Sequence, residues 1–250
     1  MQAASMCAMN RQALMNVDVI TSTNPFSGSE TGKTPAHQTV YEKLRLTILF
    51  GDLAPGQPVT IQGLTTQLGV GMTPVREALR RLIAEGALTH QGNRRVSVPV
   101  LTVACAQELA FMRKTLEPEL ARRAAARMGP DILARLRDCD DDLNQAIAQG
   151  DVGGYLTHNY RFHALINDTA DAPIMAATVD RLWLRFGPSL RVVCGRFGTS
   201  NLPDKHADLL AAFAQGDTDA AGRAMAEDVA QGAQQIEMAL TEDSVPRRFD

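Results

Sequence analysis

Between His37 and Val100 the hydrophobic pattern changes its period several times within a short span, and few folds accept such a sequence. Val40, Leu44, Ile48 and Leu49 recur at helical spacing, and the run GDLAPGQPV, punctuated by Gly and Pro, stops that helix. Thr60 is placed to cap a short helix holding Ile61, Leu64 and Leu68, which Gly69 breaks, with Val70 packing inward. Thr73 is expected to cap a further helix with Pro74 at its first position. In that helix Val75, Ala78, Leu79, Leu82 and Ile83 make one apolar face, and Glu85-Gly86 closes it. The segment ALTHQGNRRVSVPV predicts two short strands, residues 88–90 and 96–98, around the turn Gln91-Gly92-Asn93. Helix, helix, turn, helix and hairpin, in that order, is the layout of a winged helix-turn-helix.

That layout carries an expectation about chemistry. A recognition helix enters the DNA major groove by its N-terminal end, where free backbone N–H groups and the helix dipole favour phosphate. Thr73 and Arg76 lie in that first turn, and Arg76 is long enough to reach a guanine edge with two hydrogen bonds. Met72 and, on the preceding helix, Gln62 join the expected DNA-facing set. Arg80 and Arg81 follow one turn later and suit backbone phosphates, while Arg94 and Arg95 at the wing tip suit phosphate or the minor groove. Charge is distributed accordingly. The chain has a net charge of −3, but residues 36–100 carry +3 and residues 101–250 carry −6.

After residue 101 no strand is expected. Helices are predicted at roughly 102–128, 131–149, 152–169, 172–195, 203–215 and 218–240, with breaks at Gly129-Pro130, Gly150-Asp151, Ala172-Pro173, GRFGTSNLP and Gly216-Asp217. Asp131, Asp151 and Asp217 stand at first-turn or capping positions. Short links between such helices imply a bundle. The expected organisation is therefore mainly α: a tail over 1–35, a winged helix-turn-helix over 36–100, an all-helical domain over 101–242 and a flexible C-terminal tail over 243–250. The four cysteines (Cys7, Cys105, Cys139, Cys194) are widely spaced, which suits a reducing cytosol rather than a disulfide framework. With no long apolar run and no leader-like N-terminus, a cytoplasmic protein without membrane attachment is expected.

The segment from ILFGDLAPGQPV through LGVGMTPVREAL to LIAEGALTHQGNRRVSV resembles the DNA-binding domain of GntR-type regulators. Two residues depart from the family pattern at DNA-facing positions, Gly71 where Ser is usual and Met72 where Arg is usual, which alters the operator preference the resemblance implies. The helical part resembles the FCD-type effector domain of the FadR-like branch, carried by RKTLEPELARRAA, NYRFHALI, DKHADLLAAFAQGDTDAA and RAMAEDV. That resemblance implies a ligand-responsive regulator, expected to be a repressor. It would be a homodimer that reads a palindromic operator in double-stranded DNA, and not an enzyme. It further implies a divalent metal (Zn, Ni, Mn or Fe) at Asn159, His163, His206 and Asp228. Here Asn replaces the family Asp, and Asp replaces the last family His. A small organic acid would sit nearby, with Arg113, His163, His206 and Asn159 receiving its carboxylate. Asn159 and His163, four residues apart, share a helix face. His158 is expected to be exposed, and Arg181 and Arg185, flanking Trp183, are expected to form a solvated stripe. The competing reading, a metal-dependent enzyme built on the same four residues, lacks any accompanying nucleophile elbow, phosphate loop or HExxH.

Overall fold

Val40, Tyr41, Leu44, Ile48 and Leu49 are the buried side of α1 (Ala36–Leu49), the first helix of the computed structural model, which is described over residues 35–92, 95–197 and 205–244. Thr60 caps α2 (Ile61–Leu68), its hydroxyl accepting from Gly63 N at 3.0 Å, and Gly69 ends the helix in the left-handed region that favours glycine (φ 64°). α3 (Met72–Ala84) buries Val75, Ala78, Leu79 and Leu82 against α1. Its start differs from expectation. Gly71, in extended backbone and without a side-chain cap, precedes a helix that already includes Met72. Thr73 is therefore a first-turn residue, and Pro74 is tolerated because N–H groups there have no intrahelical acceptor.

The wing is a three-stranded antiparallel sheet in the order β1-β3-β2, formed by β1 (Pro58–Val59), β2 (Thr89–Gln91) and β3 (Arg95–Ser97). Val59 pairs with Val96 on one side of β3, and His90 pairs with Val96 on the other. The hairpin strands fall one residue from their predicted places. β1 was not expected, because two residues are too few to display strand alternation.

Six helices follow among the described residues, with no strand: α4 (Val103–Ala125), α5 (Pro130–Gln149), α6 (Val152–Thr169), α7 (Pro173–Phe197), α8 (Lys205–Gln215) and α9 (Thr218–Ser244). Local chemistry explains their ends. Thr102 and Asp151 cap α4 and α6, Asp217 Oδ1 accepts from Ala220 N at 2.8 Å, and Gly150 and Gly216 adopt φ of 69° and 65°. α4 packs along α9, α5 against α6 and α8, and α6 against α7. Phe162, Leu120, Leu136, Ile166, Leu184, Leu209, Met225 and Ile236 are sealed from solvent between them.

The chain divides into two compact units, Met1–Pro99 and Val100–Asp250. The expected tails fall almost entirely outside the described residues. Among the described residues no helix is long and apolar enough to cross a membrane. Leu136, fully buried on α5, gives a direct check of the second core: Leu136→Ala is expected to destabilise that unit by about 2–5 kcal/mol in urea unfolding followed by circular dichroism.

Candidate functional site

The exposed end of the winged unit is built by α2, α3 and the wing. Gln62, Thr73, Arg76, Arg80 and Arg95 are all exposed, and Met72 is 57 % exposed. Thr73, Arg76 and Arg80 recur at intervals that place them on one side of α3, opposite the apolar face fixed by Val75, Ala78 and Leu82. Arg80 approaches Glu77 only loosely, at 3.8 Å between exposed side chains, so its guanidinium stays available. Arg94 lies outside the described residues.

Arg81, expected to suit backbone phosphate, is half-exposed and makes contacts within the unit. Its Nε donates to Glu85 at 3.1 Å, its Nη1 donates to Gln38 at 3.1 Å, and its guanidinium lies over the Tyr41 ring at 3.7 Å. The Tyr41 hydroxyl donates to the same Glu85 carboxylate at 2.8 Å, and burial followed by that contact pushes the phenol up to about 12. Arg81 is thus engaged in joining α3 to α1. The one-residue step from Arg80 turns it by about 100° around the helix, towards α1, with half of its side chain still exposed.

The second unit holds a different concentration of chemistry. On α4 the apolar stripe Ala106, Leu109, Ala110, Leu120, Ala121 and Ala124 is interrupted at its centre by Arg113 and Glu117, both buried. Arg113 donates to both Glu117 oxygens, and its guanidinium stacks between Trp183 (4.2 Å) and Phe186 (4.8 Å) of α7. Glu117 Oε2 in turn lies 3.1 Å from Nδ1 of His163, which is 1 % exposed on α6. His206 of α8 makes the matching contact, its Nδ1 lying 2.9 Å from Asp140 Oδ1 of α5. Both imidazoles are therefore held by a carboxylate at Nδ1, and both turn Nε2 towards Asp228 of α9, at 3.2 Å and 4.0 Å. The histidines meet at 5.6 Å between centroids, and Phe162 stacks on His206 at 3.9 Å.

The electrostatics follow from that geometry. Burial alone would raise the Glu117 carboxyl, but the Arg113 charge and then His163 hold it below the usual carboxylate range. Asp228 is lowered in the same way, chiefly by His163 against its own burial. For His163, burial opposes the charged form, and the contacts with Asp228 and Glu117 outweigh it, pushing the imidazole up to about 9. The His163–Asp228 approach has the distance of an ion pair without the angle of a hydrogen bond, and among the described residues no hydrogen bond engages His163 Nε2. His163, His206 and Asp228 can each turn a ligand atom to one point, these atoms lying within 4.8 Å of one another.

Asn159 stands one turn before His163 on α6, half-buried, and among the described residues no hydrogen bond engages its amide. Arg113 meets Glu117 with the two-pronged contact expected for a ligand carboxylate. His158 is half-buried, with Nδ1 3.5 Å from Asp142, rather than exposed. It lies on the side of α6 that packs against α5. Arg181 and Arg185 are exposed, as a solvated stripe requires. Glu117 and Asp140 were missed as members of the centre. The signal was present for Asp140, which takes a place in the buried run Leu136, Asp140, Leu143 and Ala146 of α5.

A winged helix-turn-helix joined to a helical unit with a polar, carboxylate-rich centre defines a transcription regulator with a separate sensing domain. The comparisons agree. Residues 36–98 match the gntR family of bacterial regulatory proteins, and residues 108–231 match the FCD domain. The HTH-type transcriptional regulator McbR of Escherichia coli is 32 % identical over 151 residues, covering 60 % of this chain and 68 % of McbR. The transcriptional repressor RspR of the same organism is 25 % identical over 214 residues, covering 84 % of this chain and 92 % of RspR. The solved structure of McbR superposes with a TM-score of 0.76 at 27 % identity, covering 85 % of this chain and all of that one. A regulator from a Rhodococcus species shares the fold, with a TM-score of 0.69 at 24 % identity over 81 % of this chain and 98 % of its own. The chain belongs to the GntR family of transcription regulators, with a C-terminal FCD domain. It is a DNA-binding regulator and not an enzyme.

Arg76 and Arg81 give different expectations on DNA. Arg76→Ala should remove about 1–3 kcal/mol of specific binding, read by fluorescence anisotropy. Arg81→Ala should lower the thermal stability of the winged unit and weaken binding without changing the salt dependence. A loss of about one unit in the salt slope would make Arg81 a phosphate contact after all.

Proposed function

We propose that this regulator is a cytoplasmic, homodimeric repressor that binds a palindromic operator through Thr73, Arg76, Arg80, Arg95, Gln62 and Met72. A divalent ion and a small organic acid held in the FCD domain would set its affinity for that operator. The observation that carries the ion is the pair of carboxylate-anchored histidines. A histidine ligand characteristically gives its other ring nitrogen to a carboxylate, which fixes the tautomer and aims the lone pair. Glu117 does this for His163 and Asp140 for His206. The donor set fits the charge as well. An ion would displace the proton that His163 otherwise holds; with both histidines then neutral, Glu117, Asp140 and Asp228 against Arg113 leave two negative charges, which one divalent ion cancels. Two imidazoles and one carboxylate suit Zn, Ni, Mn or Fe, and Asn159 can add only a neutral oxygen.

Bound there, the ion would supply a Lewis-acidic point with open positions for a ligand carboxylate. The protein's own part is to hold the two imidazoles, keep the centre away from bulk water, and tie α4, α5, α6, α8 and α9 to one point. Dimerisation is assigned to the helical domain, because reading two half-sites requires two wings presented together. Phe111, 71 % exposed beside Met112 on α4, offers apolar surface for it.

Metal analysis of the purified protein tests the centre. About one equivalent is expected in the wild type and close to none in His163→Ala with His206→Ala. A metal-free wild type after incubation with zinc, nickel, manganese and iron(II) would refute the proposal. Phe111→Asp is expected to shift the protein towards monomer in sedimentation velocity and to weaken operator binding in parallel; an unchanged dimer would exclude that surface.

A further inference from the structure

The outward stripe of α3 begins with a residue whose chemistry does not suit phosphate. Met72, Arg76 and Arg80 recur every four residues, so they lie on one side of the helix, opposite Val75, Ala78 and Leu82. Met72 is 57 % exposed, and among the described residues of the winged unit it is the one large hydrophobic side chain that stands mainly in solvent. A single exposed apolar residue is ordinary on a protein surface. This one leads a basic stripe, at the end of the helix that a groove would receive first. Long side chains on a helix lean towards its N-terminus, which carries the Met72 thioether ahead of the first turn. Gly71, just before it, adds no side chain to screen that approach and none to cap the helix. Neither strain nor crowding requires glycine there: its φ of −69° is open to any residue, and among the described residues a Cβ would meet only Pro74 Cδ, at 3.9 Å.

The base edges offer Met72 few partners. Methionine has no donor and only a weak acceptor. The major-groove edges present N7, O6 and O4 acceptors, N6 and N4 amino donors, and one apolar group, the C5 methyl of thymine. Packing the thioether on a polar edge strips water from that edge and returns no hydrogen bond, which is penalised. Packing it on the methyl group buries apolar surface on both sides. We infer that Met72 is a specificity-determining residue that reads a thymine of the operator through its C5 methyl group. An arginine at the same place would take guanine instead. This rests on the reading of α3 as the helix that enters the major groove.

The full-length protein supplies the probe by selecting its preferred duplexes from a random library. Deoxyuridine placed singly at each thymine of the selected duplex then removes one methyl group and leaves base pairing unchanged. At the thymine facing Met72, wild-type affinity in fluorescence anisotropy is expected to fall about three- to fivefold, the scale of one buried methyl group. Met72→Ala is expected to bind the thymine and deoxyuridine duplexes equally, and Met72→Arg to select guanine in place of that thymine. Because Met72 is exposed, neither change touches the core of the unit. Two results would overturn the assignment: no deoxyuridine position that separates wild type from Met72→Ala, or a Met72→Ala protein that selects the same sequence and weakens on every duplex alike, the mark of a contact with the sugar backbone. Specific binding that survives Arg76→Ala unchanged would instead overturn the groove-entry reading on which it stands.

Discussion

The FCD domain is organised around charge that cannot leave its core. Arg113, Glu117, His163, Asp228, His206 and Asp140 form a continuous chain of contacts across α4, α6, α9, α8 and α5. An isolated buried charge is prohibitively costly, so each member is admissible only because the next one faces it. That mutual dependence fixes how five helices meet, which apolar packing alone specifies less sharply. It also makes the centre a natural point of control, because any ligand that adds or removes charge there acts on every helix that contributes a member.

The winged unit solves a smaller problem with similar means. α3 must present Arg76 and Arg80 outward while its other face is buried under α1. The Arg81–Glu85–Tyr41–Gln38 cluster closes that contact at its rim, where the hydrophobic stripe of α3 runs out. Exposed ion pairs are weak one at a time. Here the guanidinium also covers the Tyr41 ring and shares one carboxylate with the phenol, so its contacts act together. The result is an orientation for α3 that does not depend on DNA being bound.

Much of this was legible in the sequence. The six helices of the second unit end within a few residues of where Gly, Pro, Asp and Thr predicted, because caps and breakers act through bonds only a few residues long. The third helix and the wing were found with errors of a residue, and the short β1 was missed for want of length. His163, His206 and Asp228 could be named from the resemblance. The sequence could not show that Glu117 and Asp140 stand behind the two histidines, since those partners are 46 and 66 residues away.

DNA binding, the one motif from which the sequence argues most strongly, rests on local pattern: helical period, an outward arginine face and a hairpin. The sequence by itself determined that face and the helices of the sensing domain. Tertiary structure decided which charges are free and which are held. Arg80 and Arg81 are adjacent and chemically identical, and both are exposed, yet one is only loosely paired while the other is held to Glu85, Gln38 and Tyr41. Arg113, read as a free receiver of carboxylate, already holds Glu117. The reason is physical: periodicity and capping are properties of neighbouring residues, whereas the partner of a charge is set by which distant helix face lies within about 3 Å of it, and only packing creates that distance.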